Sequence, residues 1–151
     1  MMTKSEIAKN YFLEGYNCAQ AVALAFKEEM NMKEEDIVKM ASSFGGGMGR
    51  LREVCGAVSG MFLVAGGLYG YDDPKDFNGK KEHYELIQQL AAEFKEKNGS
   101  IVCRELLGLD RKTDEAVPEK RTKEYYKKRP CADLVADAAA IMERYITSRT
   151  K

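Results

Sequence analysis

A glycine-rich stretch from Phe44 to Gly70 constrains the fold of this chain more than any other feature. It contains more than half of the 13 glycines, and no charged residue follows Glu53 until Asp72. A long run without charges is typical of an element that is buried on all sides. We therefore predict a glycine loop that leads into a central buried helix at about residues 53–70, with Cys55 near its N-terminus.

The composition points to an ordinary globular domain. The uncharged run is shorter than the about 20 residues that a membrane-spanning helix needs, so we expect no membrane span. The first turns of the chain carry charges and lack the apolar segment of a signal peptide, so we expect a cytoplasmic location. The formal net charge is zero, which argues against nucleic acid as a partner.

Helical periodicity recurs along the chain, and no segment alternates like a strand. The sequence predicts an all-α fold: a single domain, residues 1–151, with about six or seven helices packed around the central one. Predicted helices cover residues 3–14, 18–30, 33–43, 53–70, 80–97, a short segment after Ser100, and 131–148. Residues 110–129 are charged and predict a surface loop with a helical piece at 120–128. The basic and aromatic run within it could bind nucleic acid, but the zero net charge favours a solvated connection.

The chain has four cysteines, Cys18, Cys55, Cys103 and Cys131. Their spacing contains no C-x-x-C, which argues against a zinc ribbon and a thioredoxin-type motif. Each cysteine falls in the first turn of a predicted helix. The partial positive charge at a helix N-terminus stabilises a thiolate, the form that attacks electrophiles and binds metals. We expect free thiols in a reducing cytoplasm, and chemical roles for at least two of them.

The glycine loop is a candidate site for an anion or cofactor. Successive N–H groups in a glycine-rich turn before a helix can bind an anion, and neighbouring arginines would strengthen the site. Neither phosphate-binding motif, GxxxxGK[ST] or GxGxxG, is present. The alternative is that the glycines only let another backbone segment approach Cys55. The residues of this candidate site are Gly45, Gly46, Gly47, Gly49, Arg50, Arg52 and Gly56.

The order of the motifs resembles a known family. Cys18 is followed by Cys-Gly-Ala-Val-Ser-Gly at 55–60 and then by Cys103 and Cys131. This pattern, with the preceding Gly-Gly-Gly-Met-Gly-Arg loop, is similar to the redox-active proteins named for the C_GCAxxG_C_C motif. The resemblance implies a redox-active or cofactor-binding protein, often encoded near transporter genes. Some relatives are named split-Soret cytochrome c, but this chain lacks C-x-x-C-H, so we expect no covalent haem.

Cysteine-based redox chemistry is the leading functional hypothesis. It would make the protein a thiol-dependent oxidoreductase that acts by thiol/disulfide exchange or electron transfer on an unidentified redox partner or small-molecule substrate. We expect Cys55 to be the most reactive thiol, because Arg50, Arg52 and the helix start favour its anion. Another cysteine would act as its resolving partner.

Two alternatives remain at this point. The four thiolates could converge as ligands of a metal ion or an iron–sulfur cluster. The chain could instead be a non-catalytic interaction module associated with a transporter, with cysteines that are only buried. Geometry separates these hypotheses, because the first two require Cys55 to approach another cysteine. Cys18 and Cys131 are the expected neighbours, and we expect Cys103 to be more peripheral.

Overall fold

The protein is described by a computed structural model that covers residues 2–109 and 113–150. Within these ranges it contains nine α-helices and no β-strand, which confirms the predicted all-α single-domain fold. None of these helices is both long enough and apolar enough to cross a membrane. The first residues of the predicted surface loop, 110–112, lie outside the described ranges. The helices are α1 (Lys4–Leu13), α2 (Cys18–Ala25), α3 (Lys27–Met30), α4 (Glu34–Ala41), α5 (Gly56–Tyr69), α6 (Phe77–Asn98), α7 (Cys103–Leu106), α8 (Lys123–Lys128) and α9 (Cys131–Arg149).

Helix α5 is the central element of the bundle. It packs against α2, α9 and α6, while α1 covers α2 and α9 from the other side. Val58, Met61 and Val64 of α5 have no solvent exposure, and Phe26 and Phe94 from neighbouring helices are equally buried. Burying large apolar side chains of this kind stabilises the fold by about 1.5–3 kcal/mol each. The uncharged run of the sequence thus forms the core, as predicted.

Several helix boundaries differ from the prediction. The predicted helix 18–30 is broken at Phe26, whose backbone (φ −112°, ψ 19°) leaves the helical region. Its side chain is completely buried, so the ring enters the core at the position where the helix breaks. Helix α5 begins at Gly56, not at residue 53, because Cys55 has the extended backbone of an N-cap residue. The break at Phe26 adds one helix and the helical piece of the predicted surface loop adds another, which gives nine helices in the described residues where six or seven are predicted.

Glycines allow α5 to approach α2 closely. A Cβ atom added to Gly60 would lie 2.8 Å from the carbonyl oxygen of Ala19, and one added to Gly56 would lie 3.0 Å from the Cβ of Cys18, both on α2. Both distances are too short for a carbon atom in van der Waals contact. The two helices therefore pack backbone against backbone near their N-termini, and this brings the first residues of both to the same end of the bundle.

Candidate functional site

A cavity of about 450 Å³ lies at the end of the bundle where α2, α5, α7 and α9 begin, and all four cysteines line it. Cys18, Cys103 and Cys131 are the first residues of α2, α7 and α9, and Cys55 is the N-cap residue of α5. The thiols therefore share one space at the positive ends of four helices. Cys103, expected at the periphery, is buried like Cys55, whereas Cys18 and Cys131 are partly exposed.

Cys18 is positioned by a cap that the sequence predicts. The side chain of Asn17 accepts a hydrogen bond from the Gln20 backbone N–H at 2.8 Å, and the Asn17 backbone N–H donates one to the side-chain oxygen of Gln20 at 2.9 Å. The Asn17 amide also donates to the carbonyl of Ser42 at 3.4 Å, which ties the start of α2 to the end of α4. This capping box fixes where α2 begins and so where its first thiol lies.

Cys55 and Cys103 are held together through their backbones. Val54 and Val102 form an isolated antiparallel bridge. The Cys55 N–H donates to the carbonyl of Ile101 at 2.8 Å, and the Cys103 N–H donates to the carbonyl of Glu53. Two helix starts that are far apart in sequence therefore share one short backbone connection.

The predicted glycine loop forms a single tight turn at Gly45–Met48, in which Gly46 and Gly47 have left-handed φ values of 67° and 70°. A Cβ atom at Gly47 would lie 2.6 Å from the Cβ of Cys103. Glycine at this position thus lets the loop lie against Cys103 at a backbone conformation that other residues rarely adopt. The loop glycines line the cavity, and anion binding by them stays a prediction.

Arg50 and Arg52 do not act on Cys55 as expected. Both have left-handed backbone conformations (φ 66° and 59°), which is uncommon and costly outside glycine. Arg52 is buried; its Nε donates to Asp114 at 2.7 Å and its Nη1 donates to the sulfur of Cys103 at 3.6 Å. The guanidinium group of Arg52 therefore contacts the sulfur of Cys103.

Burial works against the prediction that Cys55 is the most reactive thiol, which stays a prediction. Burial raises the pKa of Cys55 to about 12, although the backbone N–H groups of Ala57 and Val58 lower it. The sulfur lies near these groups but makes no capping hydrogen bond. Desolvation of a buried thiolate therefore outweighs the helix N-terminus, and Cys55 stays protonated at neutral pH.

Cys131 has the lowest pKa of the described thiols. A hydrogen bond from Cys18, together with the charges of Arg129 and Arg121, lowers the pKa of Cys131 to about 7 against the effect of burial. The same hydrogen bond raises the pKa of Cys18 well above its usual value. The two thiols therefore titrate as a coupled pair that shares one proton near neutral pH, and the lowered pKa of Cys131 favours the negative charge on that sulfur.

The charge of Cys131 acts on every other thiol in the cavity. Its charge raises the pKa of each of the other three cysteines. Burial is the main cause of the raised pKa of Cys103, which Arg52 opposes. One thiolate in this cavity thus keeps its neighbours protonated, since like charges in a shared site cannot easily form together.

The segment from residue 113 to 129, expected to be a solvated connection, forms one wall of the cavity. Its helical piece is α8, Lys123–Lys128, shorter than predicted. Arg129 pairs with Glu119 at 2.5 Å, and the guanidinium group of Arg121 lies 4.2 Å from the centre of the Phe12 ring. The run of basic and aromatic residues in this segment is the sequence feature that could have indicated a wall of the cavity. Its cavity residues are Ala116, Pro118, Glu119, Arg121, Tyr125 and Arg129.

The hypothesis of a metal site finds no set of converging ligands in the described residues. Across residues 2–109 and 113–150, no group of three or more Cys, His, Asp or Glu side chains is arranged to hold a metal ion. The cysteines line one cavity as free thiols.

The order of the cysteines and their shared cavity agree with a comparison to known families. A family model described as "Putative redox-active protein (C_GCAxxG_C_C)" matches residues 16–145. The chain belongs to this family. The match includes the glycine loop and all four cysteines, and membership in the family supports a redox role in general terms. Comparisons with curated proteins and with solved structures give no match.

Proposed function

We propose that this member of the C_GCAxxG_C_C family is a thiol-dependent oxidoreductase that exchanges a Cys18–Cys131 dithiol with a disulfide substrate. Cys131 is the attacking thiolate, and Cys18 is the resolving thiol. The observation that carries the proposal is that Cys18 and Cys131 line one cavity at the starts of α2 and α9, and the lowered pKa of Cys131 supports it.

The reaction is a two-step exchange. The Cys131 thiolate attacks one sulfur of the substrate disulfide, the substrate S–S bond breaks, and one half leaves as a thiolate while a mixed disulfide forms. Cys18 then gives up its proton to a departing thiolate and attacks the Cys131 sulfur, which releases the second half. The protein ends with a Cys18–Cys131 disulfide, and two electrons have passed to the substrate.

The electrostatics of the cavity suit this division of roles. A thiol attacks a disulfide most effectively when its pKa is near the ambient pH, and the pKa of Cys131 is about 7. Burial keeps Cys55 and Cys103 protonated, so neither competes as a nucleophile at neutral pH. The dithiol must be regenerated after each turnover. We therefore also propose a reducing compartment, the cytoplasm, as its location.

Trapping the intermediate tests the assignment of the two thiols. Reduced protein is mixed with bis(2-hydroxyethyl) disulfide, quenched in acid, alkylated and mapped by peptide mass spectrometry. We expect a Cys18–Cys131 disulfide in the native protein and a stable mixed disulfide on Cys131 in Cys18→Ser.

Cys55→Ser is the matched comparison, because it removes another thiol from the same cavity and should still give the Cys18–Cys131 disulfide. Cys131→Ser should abolish rapid reaction. First attachment of the reagent at Cys55 or Cys103, or an undiminished rate in Cys131→Ser, would show that the roles are assigned wrongly.

A further inference from the structure

Among the residues that the structure describes, the wall of the cavity carries more positive than negative charge. Its charged residues within 2–109 and 113–150 are four arginines, Arg50, Arg52, Arg121 and Arg129, and one carboxylate, Glu119. Three of the arginines have carboxylate partners. Arg52 pairs with Asp114 at 2.7 Å, Arg50 approaches the same carboxylate at 3.7 Å, and Arg129 pairs with Glu119. The fourth, Arg121, has a different environment.

Arg121 is held by neutral groups. Its Nη1 donates to the carbonyl of Phe12 at 3.1 Å, its Nη2 donates to the carbonyl of Tyr16 at 3.0 Å, and its guanidinium plane lies over aromatic rings. Within the described residues it makes no ion pair, and its Nε–H has no acceptor. The guanidinium group is therefore fixed in place while its charge remains uncompensated by a carboxylate.

The charge of Arg121 reaches the reactive thiols. It lowers the pKa of both Cys131 and Cys18, and it lowers that of Tyr125 on the same wall. Arg121, Tyr125 and the two thiols also line the same cavity of about 450 Å³, so the guanidinium group and the Cys131 sulfur face one small space. A carboxylate bound to Arg121 would therefore lie close to the Cys131 sulfur, where a disulfide in the same molecule could be attacked.

The size and lining of the cavity indicate what kind of molecule fits. A volume of about 450 Å³ is within the range of small-molecule sites, about 300–1,000 Å³. Leu106, Leu107 and Leu134 provide apolar lining beside the arginines. Exposed residues, such as Ser42 and Pro118, line it as well, so it communicates with solvent. A small ligand with an apolar backbone and negative ends matches these features.

We infer that the substrate is a low-molecular-weight disulfide that bears carboxylate groups, and that Arg121 is the residue that anchors one of those carboxylates. The inference rests on the proposed thiol exchange and names its substrate class. The anchored carboxylate pairs with a guanidinium group that has no carboxylate partner among the described residues, and the arginine holds the substrate S–S bond against Cys131.

A series of three disulfides of different charge tests the substrate class on the native protein. The probes are 3,3′-dithiodipropionate (dianion), bis(2-hydroxyethyl) disulfide (neutral) and cystamine (dication). Each rate of mixed-disulfide formation is divided by the rate of a free reference thiol with the same probe, which removes differences in leaving-group chemistry. We expect the normalised rate to be about tenfold higher for the dianion than for the neutral probe, equivalent to about 1.4 kcal/mol. The cationic probe should be slowest, and added salt should reduce the differences.

Arg121→Gln tests the anchor. The ratio of the dianion rate to the neutral rate should fall about tenfold, towards one. Both rates come from the same variant, so a change in the thiolate fraction of Cys131 cancels in the ratio. Arg149→Gln is the matched control, since Arg149 also stacks on an aromatic ring, 4.3 Å from the centre of Tyr69, but lies outside the cavity. Its ratio should be unchanged.

The outcomes separate the two proposals. Equal normalised rates for the three probes, with a Cys18–Cys131 disulfide still formed, overturn the substrate class and leave the exchange intact. Failure of every probe to react at Cys131 overturns the exchange itself. A preference for the dianion that survives in Arg121→Gln shows that Arg121 is not the anchor. If Arg121→Gln does not fold, the charge series on the native protein still decides the substrate class.

Discussion

Replacing Gly60 with alanine tests the close contact between α2 and α5. The new Cβ would lie 2.8 Å from the Ala19 carbonyl oxygen and 3.0 Å from the Val22 Cβ, both on a buried helix. The helices must move apart, and overpacking of this kind costs about 1–3 kcal/mol. Removing a glycine from a helix interior returns about 1 kcal/mol. We therefore expect Gly60→Ala to lower the free energy of unfolding by about 1 kcal/mol.

Gly66→Ala is the matched control on the same helix. Gly66 is exposed, and a Cβ there would meet no atom within 4 Å. Only the gain in helix propensity remains, so this variant should be more stable by about 0.5–1 kcal/mol. Urea unfolding followed by far-UV circular dichroism measures both, with an unchanged slope as the check on two-state behaviour. The reasoning is refuted if the two substitutions change stability in the same direction.

Two further predictions concern charge. The Arg52–Asp114 ion pair has side chains only 5% and 6% exposed, so Asp114→Asn should cost about 3 kcal/mol by leaving a buried charge. Glu85→Gln, in an exposed pair of α6, should cost less than about 0.5 kcal/mol, and equal losses in thermal unfolding would contradict the burial argument. Because the pKa of Cys131 is about 7, its thiolate forms as the pH rises, and its alkylation rate should increase about tenfold from about pH 6 to about pH 8. Cys55, with a pKa of about 12, should stay slow throughout, and a pH-independent rate at Cys131 would count against a shared proton.

The fold could be predicted because its determinants are local. Periodic apolar residues identify the helices, and the Asn17 cap and the uncharged run from Val54 onwards mark two of their positions directly. The cysteines fall at helix starts for the same local reasons. The break at Phe26 could not be predicted, because it depends on where the core has room for one ring.

The identity of the reactive thiol could not be predicted, because it depends on contacts between distant segments. Arg50 and Arg52 are close to Cys55 in sequence, but their left-handed backbones direct their side chains towards Asp114. The environment of Cys131 is built by a polar segment without any periodic pattern.

Val54 precedes α5 and Val102 follows α6, and the two residues form a bridge. The chain therefore leaves the thiol cavity along α5 and returns to it along α6. The turn that joins them, between Gly70 and Asp76, lies at the far end of α5, about 20 Å away at 1.5 Å per residue for its 14 residues. A tag, a fluorophore or a surface attachment introduced at that turn would leave the mouth of the cavity open. The protein could therefore be immobilised through this turn with its dithiol facing the solution.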